Sequence, residues 1–278
     1  MKRINTEENL LKINTILDEY LKFYKSQIYL IFGEAGIGKS SFLLDLGIRF
    51  VKNGYNGIFI SNQMSTKVTS KRIISNLFNI SLNSDDDIFE LYTKDNIEYL
   101  KENFCLAEVF NSLGLEQLIK ANIKKNQKID FIILDDLESF IKAENIENEK
   151  EQHKNLIDLI EEIAYKYNIL ILTTSYYNDR LKLKKDYFVE KNIDLEELKI
   201  SVKDLKFNEI FEPKLSSIIG LNPINFNDKE KCINLQILKQ RFGTVNSNIN
   251  INFNAEYQQF NFSLSNKEEK YKFKILAK

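Results

Sequence analysis

The chain has 278 residues, 43% of them hydrophobic and 28% charged, which suits one large domain with a substantial core and excludes both a small cross-linked scaffold and a chain disordered over most of its length. A formal net charge of -1 leaves no global positive excess to steer a polyanion, so any nucleic-acid surface has to come from local clustering. The amino terminus carries charges throughout and no later stretch is long and uncharged enough for a membrane helix, so the expectation is a cytoplasmic protein without a membrane partner.

Residues 1–26 place Leu10, Leu11, Ile13, Ile16, Leu17, Tyr20, Leu21 and Tyr24 on a helical stripe, predicting a leading amphipathic helix or two short ones. QIYLIF then reads as a buried strand ending at Gly33, followed by a glycine-rich loop and by SSFLLDLGIRFVKNG with helical spacing and Gly54 as its stop. GIFIS is a second buried strand, TSKRIISNLF a helix, and SLNSDDDIFELYTKDN a polar stretch whose Ser and Asp residues suit a helix cap. LEQLIKANIKKNQK is a helix ending in cations, DFIILDD a strand apolar on both faces, LIDLIEEIAYKYN a helix and ILILTTS another strand. From about Leu198 the pieces shorten and lean towards β structure: KCINLQILKQRFG, NSNININFN and YQQFNFSLS. The pattern predicts an α/β fold, with a mostly parallel central sheet flanked by helices and extended by antiparallel carboxy-terminal strands, all in one domain over residues 27–265. Residues 266–278 form a mildly basic tail.

Cys105 and Cys232 lie far apart without CxxC spacing and read as reduced core residues rather than a disulfide or a zinc site. The single histidine, His153, sits in EKEQHKNL and reads as solvated helix surface.

Residues 33–40, GEAGIGKS, satisfy GxxxxGK[ST], with a predicted strand before and a helix after. In such a loop Gly33, Glu34, Ala35, Gly36, Ile37, Gly38, Lys39, Ser40 and Ser41 surround phosphate oxygens with backbone N–H groups at a helix N-terminus. Lys39 would reach the β and γ phosphates of ATP, and the Ser40 hydroxyl would ligate Mg²⁺. Asp135 ends the apolar run FIIL and fits the carboxylate that supports the Mg²⁺. Asp136 beside it is either a second catalytic carboxylate or a polar loop residue.

The ordered series GEAGIGKS, GIFISNQMS with KRII in the following helix, FIILDDLESF, LILTTSYYNDR, VKDL and ILKQRFGTV resembles the ATPase domain of DnaB-type hexameric replicative helicases, a RecA-like P-loop NTPase, from about Asn14 to Phe260. The resemblance does not include that family's separate amino-terminal domain. It implies an ATP-dependent DNA motor: an ATPase that assembles as a homo-oligomeric ring, a hexamer in the family, works with other replication proteins and moves on single-stranded DNA. KQRFG matches the family's Lys-Gln-Arg-x-Gly strand end, which implies that Arg241 acts as a finger towards the neighbouring subunit's γ-phosphate, with Lys239 assisting.

Two departures bear on turnover. The family reads Ser-Leu-Glu-Met where this chain has Ser61, Asn62, Gln63 and Met64, and Gln63 cannot accept a proton from water at neutral pH. Asp136 or Glu138 is then needed to activate the water, and the competing expectation is an ATP-binding, poorly hydrolysing assembly factor or regulator. The family's Ser-Gln sensor pair is replaced by Ser175 and Tyr176, with Asn178 the nearest amide. The segment NDRLKLKKDYF corresponds to a DNA-facing loop; its Arg180, Lys182, Lys184 and Lys185 suit a single strand's phosphates, and equally a solvated loop. The second segment expected to face the channel, FIKAENIENEKEQHK, is mixed in charge.

Overall fold

The apolar stripe of the leading segment is buried, but not as the amphipathic helix it predicts. In the computed structural model, which describes residues 7–109, 112–125, 127–141, 148–193, 197–226, 230–245 and 247–262, strand β1 (Leu10–Leu11) pairs antiparallel with β2 (Phe23–Tyr24), and only one helical turn, α1 (Leu17–Tyr20), lies between them. Asn14 takes a left-handed φ of 54°, and the Asp18 carboxylate accepts the N–H groups of Ile13 (3.2 Å) and Asn14 (2.7 Å), which bends the chain where a helix would have continued. Leu11, Ile13, Leu17, Leu21 and Phe23 are nonetheless buried in the same core as the main sheet.

That sheet begins with β3 (Ile28–Gly33), all six residues of which are buried. Alternate side chains go to opposite faces: Tyr29 and Ile31 join one core cluster, Ile28, Leu30 and Phe32 the other, as expected of a strand covered on both sides. Helix α2 (Lys39–Lys52) follows, then β4 (Gly57–Ser61), α3 (Thr66–Phe78), α4 (Asp86–Asn103) and β5 (Phe104–Ala107). The sequence reading did not anticipate β5, whose four residues show neither alternation nor a long apolar run, as befits a sheet edge. Next come α5 (Ser112–Lys124), β6 (Phe131–Asp135), α6 (Leu137–Ile141), α7 (Glu149–Tyr167), β7 (Leu170–Ser175), α8 (Asp179–Glu190) and α9 (Asn208–Phe211). The chain then runs through β8 (Ser217–Phe226), β9 (Glu230–Gln240), β10 (Ser247–Asn254) and β11 (Gln259–Asn261).

Among the described residues the large sheet has the order β11-β10-β9-β8-β3-β7-β6-β4-β5. It is parallel from β5 to β8 and antiparallel from β8 to β11, which is the extension that the sequence pattern predicts. β8 also went unanticipated, because Pro223 interrupts its pattern; proline has no N–H to give a ladder, and the pairing with β9 shifts register between Pro223 and Asn225. In β10 the buried residues Ile249, Ile251 and Phe253 alternate with exposed Asn248, Asn250 and Asn252, so this part of the sheet is covered on one face.

His153 is not on the surface. It is 1% exposed, its Nδ1 lies 2.7 Å from the Glu149 carbonyl, and its ring packs 4.3 Å from Phe207 and 5.7 Å from Phe211, joining α7 to α9. A polar neighbourhood in sequence says nothing about which face of α7 the ring occupies. Burial holds its pKa below the ordinary histidine value, so it serves as a neutral packing residue. Cys105 and Cys232 are half-buried and are not joined in a disulfide. No helix among the described residues is long and apolar enough to cross a membrane. The basic tail at 266–278 lies outside the described residues.

Helix α2 lies close against the sheet because Gly47 has no side chain: a Cβ there would sit 2.7 Å from the Phe104 ring and 2.8 Å from Ile133. At Gly57 in β4 an added Cβ would overlap three ring carbons of the fully buried Phe131. Gly57→Ala should therefore lose about 1–3 kcal/mol of stability, read as a lower midpoint in chemical denaturation with an unchanged slope.

Candidate functional site

The phosphate-loop sequence folds as its glycines require. Gly36 (φ 77°) and Gly38 (φ 110°) adopt left-handed backbone that other residues enter only with strain, which lets the loop turn tightly between β3 and the first turn of α2. Ile37 anchors the loop in the core while Ala35 is exposed, and Ser41 turns inward to donate to Gln258 Oε1 at 2.7 Å.

Lys39 is 7% exposed and donates to the carbonyls of Gly33 and Glu34, both at 3.0 Å. The Tyr176 ring covers the same ammonium, with its centroid 4.3 Å from Nζ. Burial depresses the lysine's pKa, and Asp135, Asp136, Glu138 and Glu34 oppose that effect. Ser40 Oγ donates to Asp135 Oδ1 at 3.0 Å, and Thr174 on β7 donates to the same oxygen at 2.9 Å. Asp135 is 2% exposed, and its Oδ2 finds no partner among the described residues. Burial raises its pKa, countered by the two hydroxyls.

These residues fit a magnesium nucleotide. Mg²⁺ characteristically takes one or two protein oxygens and fills its remaining positions with water and phosphate oxygens. A serine hydroxyl beside a buried carboxylate with one orphaned oxygen is such a donor set, placed at the N-terminus of a 14-residue helix behind the loop.

Gln63, just beyond β4, is drawn into a clamp. Its amide donates to Asp136 Oδ2 and, at 3.0 Å, to the Tyr176 hydroxyl, which in turn donates to Asp136 Oδ2 at 2.9 Å. The other Asp136 oxygen accepts Ser139 N–H at 2.8 Å, at the start of α6, so both carboxylate oxygens are committed. Glu138 differs: Oε1 accepts the Ser175 hydroxyl at 2.6 Å, while Oε2 is buried without a partner among the described residues, and burial pushes its pKa up to about 6. Ser175 is thus spent on Glu138. Asn178 caps α8 by accepting Arg180 N–H (3.1 Å) and donates to the Lys203 carbonyl (2.7 Å).

The segment read as a DNA-facing loop is helical: α8 runs through it, because Asn178 starts the helix and Leu181 buries one face. Arg180 and Lys184 both pair with the buried Asp204, at 3.4 and 2.7 Å, and Lys185 pairs with Glu34 of the phosphate loop; Lys182 is exposed. Tyr177 also donates to Glu34 Oε1 at 3.1 Å. Residues 142–147 of the other segment lie outside the described residues, and from Glu149 that stretch belongs to α7.

Arg241 and Lys239 are not brought to this cluster. Gly33 at the loop lies opposite Leu221 of β8, whereas Arg241 N–H bonds the carbonyl of Ser216, just before the start of that strand. The two positions are separated by roughly 16 Å along the strand direction. The Arg241 guanidinium donates to the Pro213 carbonyl at 2.6 Å and lines a cavity of about 550 Å³ with acidic Asp158, Glu161 and Glu162; Lys239 donates to the Glu212 carbonyl.

Sequence reasoning missed four contributors: Thr174, Tyr176 as the cover on Lys39, Tyr177, and Arg72. Arg72 on α3 reaches Ser41 Oγ at 3.5 Å and interacts with Asp135; burial lowers its pKa and Asp135 opposes this. Nothing in its sequence neighbourhood set it apart, since Thr69, Ser75 and Asn76 share its helix face.

The sheet order, the phosphate loop and the buried strand-end carboxylate define a RecA-like P-loop NTPase fold. No family model and no curated sequence matches the chain. Among solved structures it is similar to an ATPase domain, with a TM-score of 0.70 and 17% identity over 85% of each chain. It is also similar to a DnaB-like replicative helicase described with its interactions with primase, with a TM-score of 0.70 and 16% identity over 85% of this chain and 57% of that one. The chain therefore has the fold of DnaB-like helicase ATPase domains.

Because Glu138 goes from 4.5 to about 6 on folding, the native state binds its proton more tightly than the unfolded state does. Its contribution to stability is greatest below pH 4.5 and falls as the pH rises through 6. Glu138→Gln should stabilise the protein at pH 7 and above by roughly 2 kcal/mol and change little below pH 4.5, measured by urea denaturation across that range.

Proposed function

We propose that this chain is an ATP-driven motor of the DnaB-like helicase type, binding MgATP, assembling as a ring and moving on single-stranded DNA. The observation that carries this reading is the pairing of Ser40 with the half-satisfied Asp135 behind a formed phosphate loop, within a fold that matches such ATPase domains. Lys39 and the loop N–H groups bind the phosphates, and Ser40 with Asp135 holds the metal. When bound, Mg²⁺ supplies charge neutralisation at the β and γ phosphates. Gln63 acts as a hydrogen-bond donor. Proton acceptance from water falls to Glu138, the neighbouring carboxylate with an uncommitted oxygen.

Arg241 and Lys239 lie too far from their own loop to serve it, which supports action on a neighbouring copy. DNA contact falls to exposed Lys182 and Arg180 on α8, the second of them also paired with Asp204, while Lys184 and Lys185 are held by Asp204 and Glu34.

A second reading, an ATP-binding regulator with little turnover, is favoured by the amide clamp at Gln63. Hydrolysis measured with and without single-stranded DNA separates the two. Under the motor reading DNA stimulates the wild type, Lys39→Ala abolishes turnover, and Glu138→Gln lowers it by about 10² to 10⁴ without loss of nucleotide binding. A wild type that binds without hydrolysing, while Gln63→Glu hydrolyses, establishes the regulator. Arg241→Ala should bind nucleotide normally yet hydrolyse at least about 10³-fold more slowly. Mixing Arg241→Ala with Lys39→Ala should restore part of the activity, because some mixed interfaces then hold one intact site.

A further inference from the structure

Lys39 has three donors. Two are spent on the carbonyls of Gly33 and Glu34, and the Tyr176 ring lies over the ammonium they leave, at 4.3 Å from centroid to Nζ. The far end of the ring is tied as well: the hydroxyl donates to Asp136 at 2.9 Å and accepts from Gln63 at 3.0 Å. Tyr176 therefore spans the interval from the phosphate-binding lysine to the groups lining the water side of the site. A terminal phosphate, contacted by that lysine and attacked from that side, needs the same interval.

The backbone beneath is fixed. The Tyr176 carbonyl accepts Lys206 N–H at 3.2 Å, Tyr177 forms a β-bridge with Leu205, and Ser175 is fully buried. The side chain itself is only half-buried, so it can leave by rotation without disturbing β7 or α8.

On the reading that Lys39 receives the phosphates, we propose that Tyr176 is a strap across the terminal-phosphate position, which a triphosphate must displace and a diphosphate leaves in place. A ring stacked on a cation satisfies the buried ammonium without an anion, and it must be displaced before the third phosphate can be bound. A diphosphate is held chiefly by the loop N–H groups and makes less demand on the space beyond Lys39. Only the longer ligand has to break the two tethers, so the strap lowers its affinity and leaves that of a diphosphate nearly unchanged.

The test is calorimetric titration of the full chain with Mg²⁺ and either a non-hydrolysable ATP analogue or ADP. Tyr176→Leu removes both tethers and should tighten the triphosphate analogue about tenfold while changing ADP by less than about threefold. Tyr176→Phe keeps the ring over Lys39 and loses only the hydroxyl tether, so it should give a smaller gain of about threefold, and it guards against misfolding of the leucine variant. The sequence contains no tryptophan, so Tyr176→Trp introduces a single fluorophore whose emission should change on adding the triphosphate analogue and not on adding ADP.

Folded variants that bind the triphosphate no more tightly than the wild type, or that gain equally for both nucleotides, overturn the strap and leave the nucleotide site standing. A wild type that binds neither nucleotide, with Lys39→Ala indistinguishable from it, overturns the nucleotide reading and the strap together.

Discussion

A carboxylate buried at the end of a parallel strand governs the arrangement of this molecule. Asp135 is 2% exposed and carries two hydroxyl donors on one oxygen and none among the described residues on the other. Burying such a group is unfavourable unless partners or a cation compensate. The compensation comes from three strands: Asp135 ends β6, Thr174 lies on β7, and Ser40 follows β3. The order β3-β7-β6 is what allows this, since β7 lies between the loop and the carboxylate and fills the gap with its own hydroxyl. Any other placement of β7 would leave the buried carboxylate without that donor.

Around this point several charged groups are paired within the chain. Lys39 rests on loop carbonyls and under Tyr176, Ser40 rests on Asp135, and Glu34 is held by Tyr177 and Lys185. On the proposed reading, the contacts of Lys39 and Ser40 occupy groups that a phosphate or a metal ion would use. The chain thus keeps a concentrated cluster of opposite charges intact with internal substitutes, and ligand affinity becomes the difference between the ligand's contacts and those it displaces. The consecutive tyrosines after β7 place this exchange next to α8, since Tyr176 touches the lysine and Tyr177 and Lys185 touch Glu34. Glu138 is a second half-satisfied buried carboxylate, and its ionised form weakens the fold.

The ends of the sheet carry different chemistry. The parallel strands deliver the phosphate loop, Asp135 and the tyrosines to their carboxy-terminal edge, where ligands of open α/β sheets gather. The antiparallel extension reverses direction, so β9 delivers Lys239 and Arg241 to the opposite edge, beside a cavity lined by three carboxylates and by Lys214, which pairs with two of them. One chain therefore carries two charged groupings on opposite edges of its sheet.

What the amino-acid order determined by itself was local and periodic. Continuous apolar runs between helical patterns meant a covered parallel sheet, the glycine spacing of GEAGIGKS meant a tight loop with left-handed backbone, and FIILD meant a buried strand ending in a carboxylate. These signals survive because each is carried by consecutive residues. Whatever depends on which strand lies beside which, or on which face of a helix meets the core, was legible only in three dimensions. The stripe from Leu10 to Tyr24 was apolar for burial rather than for helix, because Asp18 and Asn14 turned the chain. β8 was hidden by Pro223, His153 by its charged neighbours, and the cations of α8 read as free until Asp204 and Glu34 came up beside them from 20 or more residues away. The hydrogen-bond partners of Gln63, Asp136, Glu138 and Tyr176 were decided by tertiary structure alone, because donors and acceptors are shared out by distance and direction and neither is written in the order of residues.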